Sequence, residues 1–435
     1  MQLYSTKNTA SSFTLKEAIF KGLPDDSGLF MPLHIPVMAP EFFENIQNLS
    51  LQEIAFEVSK NMLQGAVGDE DLKKIVDDAV NFEIPIVPLD ENIHAVELFH
   101  GPTFAFKDFG ARFMSRLMGH FIDESREKVH ILVATSGDTG SAVAHGFLGV
   151  PGIHVTILFP GGKVSEVQEK QFTTLGNNIT ALEVAGTFDD CQRLVKQAFA
   201  DKELNEVLEL TSANSINIAR LIPQSFYYFY AYSRLDKKKP LVFSVPSGNF
   251  GNILGGLLAW KMGLPVHRFI AATNANCVVP EYLTSGQFSP RTSLRTIANA
   301  MDVGNPSNFE RIMDIFKSEH KNIAERIEGK FYSDDQVKGV IRSVFDEKGY
   351  IIDPHSAIGY QALKEYLQEQ PSGIQGAFLG TAHPAKFGEV VEPLIGEKVI
   401  LPPALKEALE KPSQSERVSA DFNEFKSFLL KRIAL

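Results

Sequence analysis

Lys107 lies in the run His100-Gly-Pro-Thr-Phe-Ala-Phe-Lys-Asp-Phe-Gly110, an aromatic and apolar neighbourhood. Desolvation lowers a lysine pKa and favours the neutral amine that attacks carbonyls and forms Schiff bases. The bland alternative is a surface lysine paired with Asp108. Two other segments follow apolar runs and open helical stretches. Thr135-Ser-Gly-Asp-Thr-Gly-Ser141 gathers hydroxyls and free N–H groups, which suit a carboxylate or simply cap a helix. Pro246-Ser-Gly-Asn-Phe-Gly-Asn252 has two glycines that let backbone approach a ligand. N–H groups at a helix start suit a phosphate there. This loop is neither a Walker loop nor a G-x-G-x-x-G turn.

Asn214-Ser-Ile-Asn-Ile-Ala-Arg220 joins amides, a hydroxyl and a guanidinium. Arginine is the preferred planar clamp for a phosphate dianion. A polar helix start with a surface arginine is the competing reading. Leu379-Gly-Thr-Ala-His-Pro-Ala-Lys386 is a turn in which Thr381 offers one hydrogen bond to a cleft. Loop structure alone would explain it equally. The histidines do not cluster at metal spacing, and no G-x-S-x-G elbow is present.

These segments need elements to position them, and the chain reads as α/β. Strands are predicted over 129–134, 154–159, 179–184, 241–245, 269–272 and 376–379. Helices are predicted between them, over 140–147, 164–175, 189–200 and 253–262, with one more over 420–431. Such alternation implies doubly wound, mostly parallel sheets, with ligands outside the carboxyl ends of the strands. Two lobes are expected: 96–235, carrying the lysine and the carboxylate loop, and 236–435, carrying the phosphate loop. The charged stretch Asp236–Pro240 divides them. Residues 1–95 read as a largely helical segment on the larger lobe. Its first helix follows a capping box at Thr14 and Glu17 and stops at Gly22 and Pro24.

The 435 residues suffice for two to three domains with a large core. A net charge of −11 without a long basic block makes a poor nucleic-acid binder. An anionic ligand must therefore be held by local donors. No apolar run reaches membrane-spanning length, and Met1–Thr9 lacks a signal-like apolar core, so a cytoplasmic protein is expected. Cys191 and Cys277 cannot make a disulfide framework or a cysteine-based zinc site.

In their order along the chain, the lysine segment, the T-S-G-D-T-G-S loop, the G-N-F-G-N loop and the T-A-H-P-A-K-F turn resemble the threonine synthase family. Gly22–Pro32 and Ala300–Arg311 resemble its longer class, so the likeness covers nearly the whole chain. The family belongs to the pyridoxal-phosphate enzymes of the β-family, fold type II. The resemblance implies a lyase (EC 4.2.3.1) that converts O-phospho-L-homoserine and water to L-threonine and phosphate, by γ-elimination and β-addition of water. Lys107 would join the cofactor as a Schiff base. Gly248, Asn249, Phe250, Gly251 and Asn252 would hold its phosphate, and Thr381 its pyridine nitrogen. Thr135, Ser136, Gly137, Asp138 and Thr139 would bind the substrate carboxylate, Asp138 also lying at the cofactor hydroxyl. Asn214, Ser215 and Arg220 would bind the substrate phosphate, with Lys163 and Lys386 as further candidates.

Shorter members carry Asn where this chain has Asp138, so Asp138 is expected to keep a raised pKa or to meet the substrate ammonium. A monomer or homodimer is implied, with no nucleic-acid or membrane partner. The alternatives are a dehydratase or phospholyase of the same fold, and a non-catalytic relative that binds a phosphorylated metabolite.

Overall fold

The computed structural model of the protein describes residues 1–122 and 129–433. Its strands are β1 (Gln2–Ser5), β2 (Asn8–Thr14), β3 (Phe30–Pro32), β4 (Ile86–Asp90), β5 (Ile93–Glu97), β6 (Val129–Ala134) and β7 (Ile153–Pro160). They continue with β8 (Ile179–Ala185), β9 (Glu209–Thr211), β10 (Leu241–Pro246), β11 (Arg268–Thr273), β12 (Ile327–Phe331), β13 (Gln375–Gly380) and β14 (Ser415–Ser419).

Two mostly parallel sheets result. One has the order β14-β8-β7-β6-β9, with every pair parallel. The other has the order β12-β11-β10-β13-β5-β4 and is parallel except at its β4 edge. Strands β6, β10 and β13 are buried at every residue, as apolar strands covered on both faces must be. Each buried Val, Leu, Ile or Phe contributes about 1.5–3 kcal/mol. The cores beneath these sheets therefore dominate the energetics. The six predicted strands all occur: one has the predicted bounds, two are one residue longer at one end and three are one residue longer at both ends.

Three departures from expectation have physical reasons. First, residues 1–95 are not only helical. β1, β2 and β3 form an antiparallel sheet, and β4 and β5 join the second large sheet. β2 (Asn-Thr-Ala-Ser-Ser-Phe-Thr) is largely exposed, so its residues carry almost no apolar alternation. The Thr14–Glu17 capping box and the helix stop at Gly22 (φ 71°) are present. Second, the short strands β9, β12 and β14 lie outside the six predicted, because three to five mixed residues give too weak a period. Third, the sheets cross the limits at 95/96 and 235/236. β5 pairs with β13 of the larger lobe, and β14, near the C-terminus, pairs with β8 of the smaller. Sequence proximity does not dictate parallel pairing, since crossovers return the chain to a distant edge. Among the described residues no helix is long and apolar enough to cross a membrane.

Candidate active site

The carboxyl ends of β6, β9, β10 and β13 carry the four polar loops. After β13, the chain runs antiparallel to the segment before Lys107. Phe106 N–H donates to the Thr381 carbonyl at 2.9 Å, and His383 N–H to the Phe104 carbonyl at 3.0 Å. These bonds place Lys107, the first residue of the Lys107–Phe121 helix, beside Thr381. The Thr381 hydroxyl makes no hydrogen bond among the described residues, while its N–H donates to Ser356 Oγ at 3.2 Å.

Lys107 is half-buried. Its amine has no hydrogen-bond or ion-pair partner among the described residues. Desolvation pulls its pKa below the ordinary value; Lys386 and Arg220 add to that and Asp138 opposes it. The pairing of Lys107 with Asp108 does not occur. The buried Asp108 carboxylate accepts from Thr103 N–H at 2.8 Å and Thr103 Oγ1 at 2.6 Å instead. Burial pushes Asp108 up to about 6 against those two bonds.

The loop after β6 is built around Thr135. Its buried hydroxyl accepts from the N–H groups of Gly137 and Gly140 and donates to the Gly137 carbonyl. Thr135 therefore staples the loop and has no free hydroxyl to offer a carboxylate. Ser136 and Thr139 are half-buried, and their hydroxyls make no hydrogen bond among the described residues. Gly137 has φ 145°, and a Cβ there would lie 2.6 Å from the Gln168 side chain. Asp138 starts the next helix, and its Oδ1 sits 2.6 Å from Lys386 Nζ and 2.8 Å from Gln168 Nε2. A raised pKa at Asp138 is thus overturned. Burial does push it up, but the charges of Lys386 and Lys107 and the two hydrogen bonds outweigh that. The carboxyl is held well below the usual range.

The loop after β10 fits tightly. A Cβ on Gly248 would lie 2.7 Å from Met301 Cα and 2.9 Å from the Ala300 carbonyl oxygen. Phe250 takes the left-handed conformation (φ 60°), Gly251 begins the Gly251–Lys261 helix, and no side chain caps that helix start among the described residues, so its first N–H groups suit an anion. Asn249 donates to Ser215 Oγ at 2.7 Å and accepts from Ser307 N–H at 2.7 Å, tying this loop to the Asn214–Arg220 run. Asn252 is buried. Its Oδ1 accepts from the Tyr227 and Tyr228 hydroxyls, and its Nδ2 has no partner among the described residues.

Arg220 is buried, not on the surface. Its Nη1 donates to the Ala213 carbonyl, but its Nε is buried without a partner among the described residues, as is Asn214 Oδ1. Burial brings its pKa down to about 10, opposed by Asp108. Gly110, one helical turn after Lys107, lets Arg220 pass: a Cβ there would lie 2.8 Å from Arg220 Nε. Lys386 is buried and lies in the site, whereas Lys163 is exposed and donates to the Gly186 carbonyl at 3.0 Å.

Several supporting residues were not singled out by sequence. Thr103, Gln168, Ser356 and Arg311 act by holding others, and each looks like an ordinary polar residue when read alone. Lys107, Lys386 and Arg220 face two carboxyls, Asp138 and Asp108, and the surplus of basic groups suits anionic ligands.

A family model described as "Pyridoxal-phosphate dependent enzyme" matches residues 84–376. The fold and site define that class. Models described as "Threonine synthase N terminus" and "Threonine synthase, C-terminal" match residues 2–80 and 356–429. The threonine synthase of Serratia marcescens is 46% identical, covering 99% of each chain, and that of Escherichia coli is 43% identical, again covering 99% of each. The crystal structure of the Escherichia coli threonine synthase superposes with a TM-score of 0.92, covering 99% of this chain and 100% of that one, at 42% identity. A pyridoxal-phosphate-bound threonine synthase from Brucella melitensis has a TM-score of 0.93 at 32% identity, with 100% of both chains covered. The chain belongs to the threonine synthase family. Its residues also fit the cofactor of that class: an unpartnered amine at Lys107, an N–H cradle at Gly248–Asn252 and an unengaged hydroxyl at Thr381.

Proposed function

We infer that this chain acts as a threonine synthase, a lyase that uses pyridoxal 5'-phosphate to convert O-phospho-L-homoserine and water to L-threonine and phosphate. The observation that carries this reading is the second anion site. A dehydratase of the same fold needs only a cradle for the cofactor phosphate. Here a buried arginine with an unpartnered Nε lies in the run whose Ser215 is bonded to that cradle.

Lys107 would hold the cofactor, and its amine, released when the substrate takes its place, takes the proton from the substrate α carbon. Its depressed pKa supports that role, because a base must be unprotonated to accept. When bound, the cofactor supplies the electron sink that stabilises negative charge next to the amino group. The N–H groups of Gly248 to Asn252 hold the cofactor phosphate. Thr381 serves the pyridine nitrogen, and a neutral hydroxyl there leaves that nitrogen less protonated than a carboxylate would. Ser136, Thr139 and the backbone at Gly137 hold the substrate carboxylate, with Thr135 shaping the loop. Asp138, ionised and paired with Lys386, suits the substrate ammonium and would repel a carboxylate. Asn214, Ser215 and Arg220 grip the substrate phosphate and stabilise it as it leaves the γ carbon. Enclosure of these groups limits the water that can add at the β carbon.

The acidic composition supports an enzyme without a nucleic-acid partner, and the family resemblance supports a cytoplasmic monomer or homodimer. Amino-acid analysis after incubation with pyridoxal phosphate and O-phospho-L-homoserine tests the reaction. Threonine and phosphate should appear in equal amounts. An oxoacid with phosphate and no threonine would move the function to a phospholyase. Lys107→Ala should fold yet lose the visible absorbance of bound cofactor, and turnover should fall by about 10²–10⁴-fold.

A further inference from the structure

Lys386 occupies a junction of three segments. It lies in the Pro384–Phe387 turn after β13 of one large sheet. Its Nζ is 2.6 Å from Asp138 Oδ1, which starts the helix after β6 of the other sheet, and both side chains are buried. The same Nζ donates to the Thr103 carbonyl at 2.8 Å, in the loop that leads to Lys107. That carbonyl also accepts from Gln171 Nε2 at 3.1 Å, and the Thr103 N–H and hydroxyl hold Asp108. A lysine ammonium has three donors and no acceptor. Two of the three are directed to fixed protein oxygens, so little remains for a mobile phosphate.

We propose that Lys386 is a positioning residue: clamped between Asp138 and the Thr103 carbonyl, it ties the lysine-bearing loop to the carboxylate loop across the cleft. Lys107 then faces a neutralised pair instead of a bare carboxylate. This rests on the reading of Lys107 as the residue that carries the cofactor. The charged groups facing Lys107 are Asp138, Lys386 and Arg220. Those around Lys386 are Asp138, Lys107 and Asp108, with His145 and His383 further out. Lys386 and Asp138 act on Lys107 with opposite sign, so removing one exposes the other.

The test is an absorbance titration of bound pyridoxal phosphate on the full chain, together with the affinity of the full chain for inorganic phosphate. Lys386→Met should raise the pH midpoint by about one unit or more, since a lone carboxylate then favours the protonated form. Asp138→Asn should lower it. The double variant Lys386→Met/Asp138→Asn should return it close to the parent value, and this neutral pair keeps the test alive if the single lysine variant does not fold. Phosphate affinity in the double variant should stay within about threefold of the parent. Unmoved midpoints in Asp138→Asn and Lys386→Met would overturn the proposal. So would a phosphate affinity weakened about tenfold or more, which would make Lys386 a phosphate ligand. A parent chain without visible absorbance would overturn the role of Lys107 and this inference with it. A parent that titrates, with variant midpoints that stay at the parent value, would overturn only the role of Lys386.

Discussion

Arg220 and Arg311 are both buried, and neither forms an ion pair among the described residues, yet they meet the cost of burial differently. Arg311 donates to the Phe30 carbonyl from Nε (3.1 Å) and Nη2 (2.9 Å), to the Ile216 carbonyl at 2.7 Å and to Asn308 Oδ1 at 2.8 Å. Burial lowers its pKa to about 9, but its donors are used. It therefore braces β3, the Asn214–Arg220 run and the segment at Asn308, next to the Ser307 that is bonded to Asn249. Arg220 has one carbonyl partner and an orphaned Nε. Buried donors left unmade cost about 1–3 kcal/mol each, more for charged groups. Such a debt is tolerated where a ligand will settle it. One arginine has its donors taken up by the fold, and the other keeps a buried donor that the proposed substrate-phosphate site would use.

The largest effect should follow from removing the brace. Arg311→Met leaves the Phe30 and Ile216 carbonyls without their donor and should cost about 3–5 kcal/mol in denaturant unfolding. Arg220→Met should instead leave stability within about 1 kcal/mol of the parent, because an uncompensated cation goes with it. Its kcat/KM should drop about 10²–10³-fold, matching the 2–5 kcal/mol carried by a buried charged partner. Saturating inorganic phosphate, at about a hundred times Kd, should stabilise the parent by about 2.7 kcal/mol and Arg220→Met by far less. Equal stability losses in the two arginine variants would erase the distinction.

A finer test moves Arg220 without deleting it. The added methyl of Gly110→Ala would lie 2.8 Å from Arg220 Nε and from the Arg220 carbonyl. Overpacking of this kind costs about 1–3 kcal/mol. Phosphate affinity should weaken as well, which calorimetry would read. The smallest effect concerns Asp108, the carboxyl that opposes the drop in the Arg220 pKa. Its folded pKa is raised to about 6 from 3.8. Its stabilising contribution is therefore full below the unfolded value and is lost as pH rises through the folded one. Between pH 5 and 7.5 the parent should lose about 1 kcal/mol that Asp108→Asn does not. Thermal melts of both chains across that window check the sign.

Much of the fold was legible in the sequence. Strands β6, β7, β8, β10, β11 and β13 are apolar runs bounded by turns, and that pattern carries its own signal. β2 and β14 are exposed and mixed in composition, so pairing geometry alone makes them strands. The loops at 135–141 and 246–252 were readable because glycines and hydroxyls after a strand have few other uses. Within them the hydroxyl of Thr135 proved to be spent on its own loop, a choice that rotamers and distances make. The state of Asp138 was not readable either. Its partner Lys386 is 248 residues away in the chain, and a carboxylate alone does not reveal whether a cation faces it.

The order and types of residues by themselves determined the α/β architecture and pointed to a candidate lysine and two glycine-bearing loops after strands, because each depends on short-range chemistry: period, turn freedom and side-chain reactivity. The tertiary structure alone decided which charges are paired. Arg220 and Arg311 are identical in type and both sit beside polar loops, yet Arg311 is held by the Phe30 carbonyl of β3, the Ile216 carbonyl and Asn308 Oδ1, and Arg220 has only the Ala213 carbonyl. Lys163 and Lys386 both follow strands, yet only the second is buried against a carboxylate. Desolvation and ion pairing depend on what surrounds a group in space, and long-range packing supplies those surroundings.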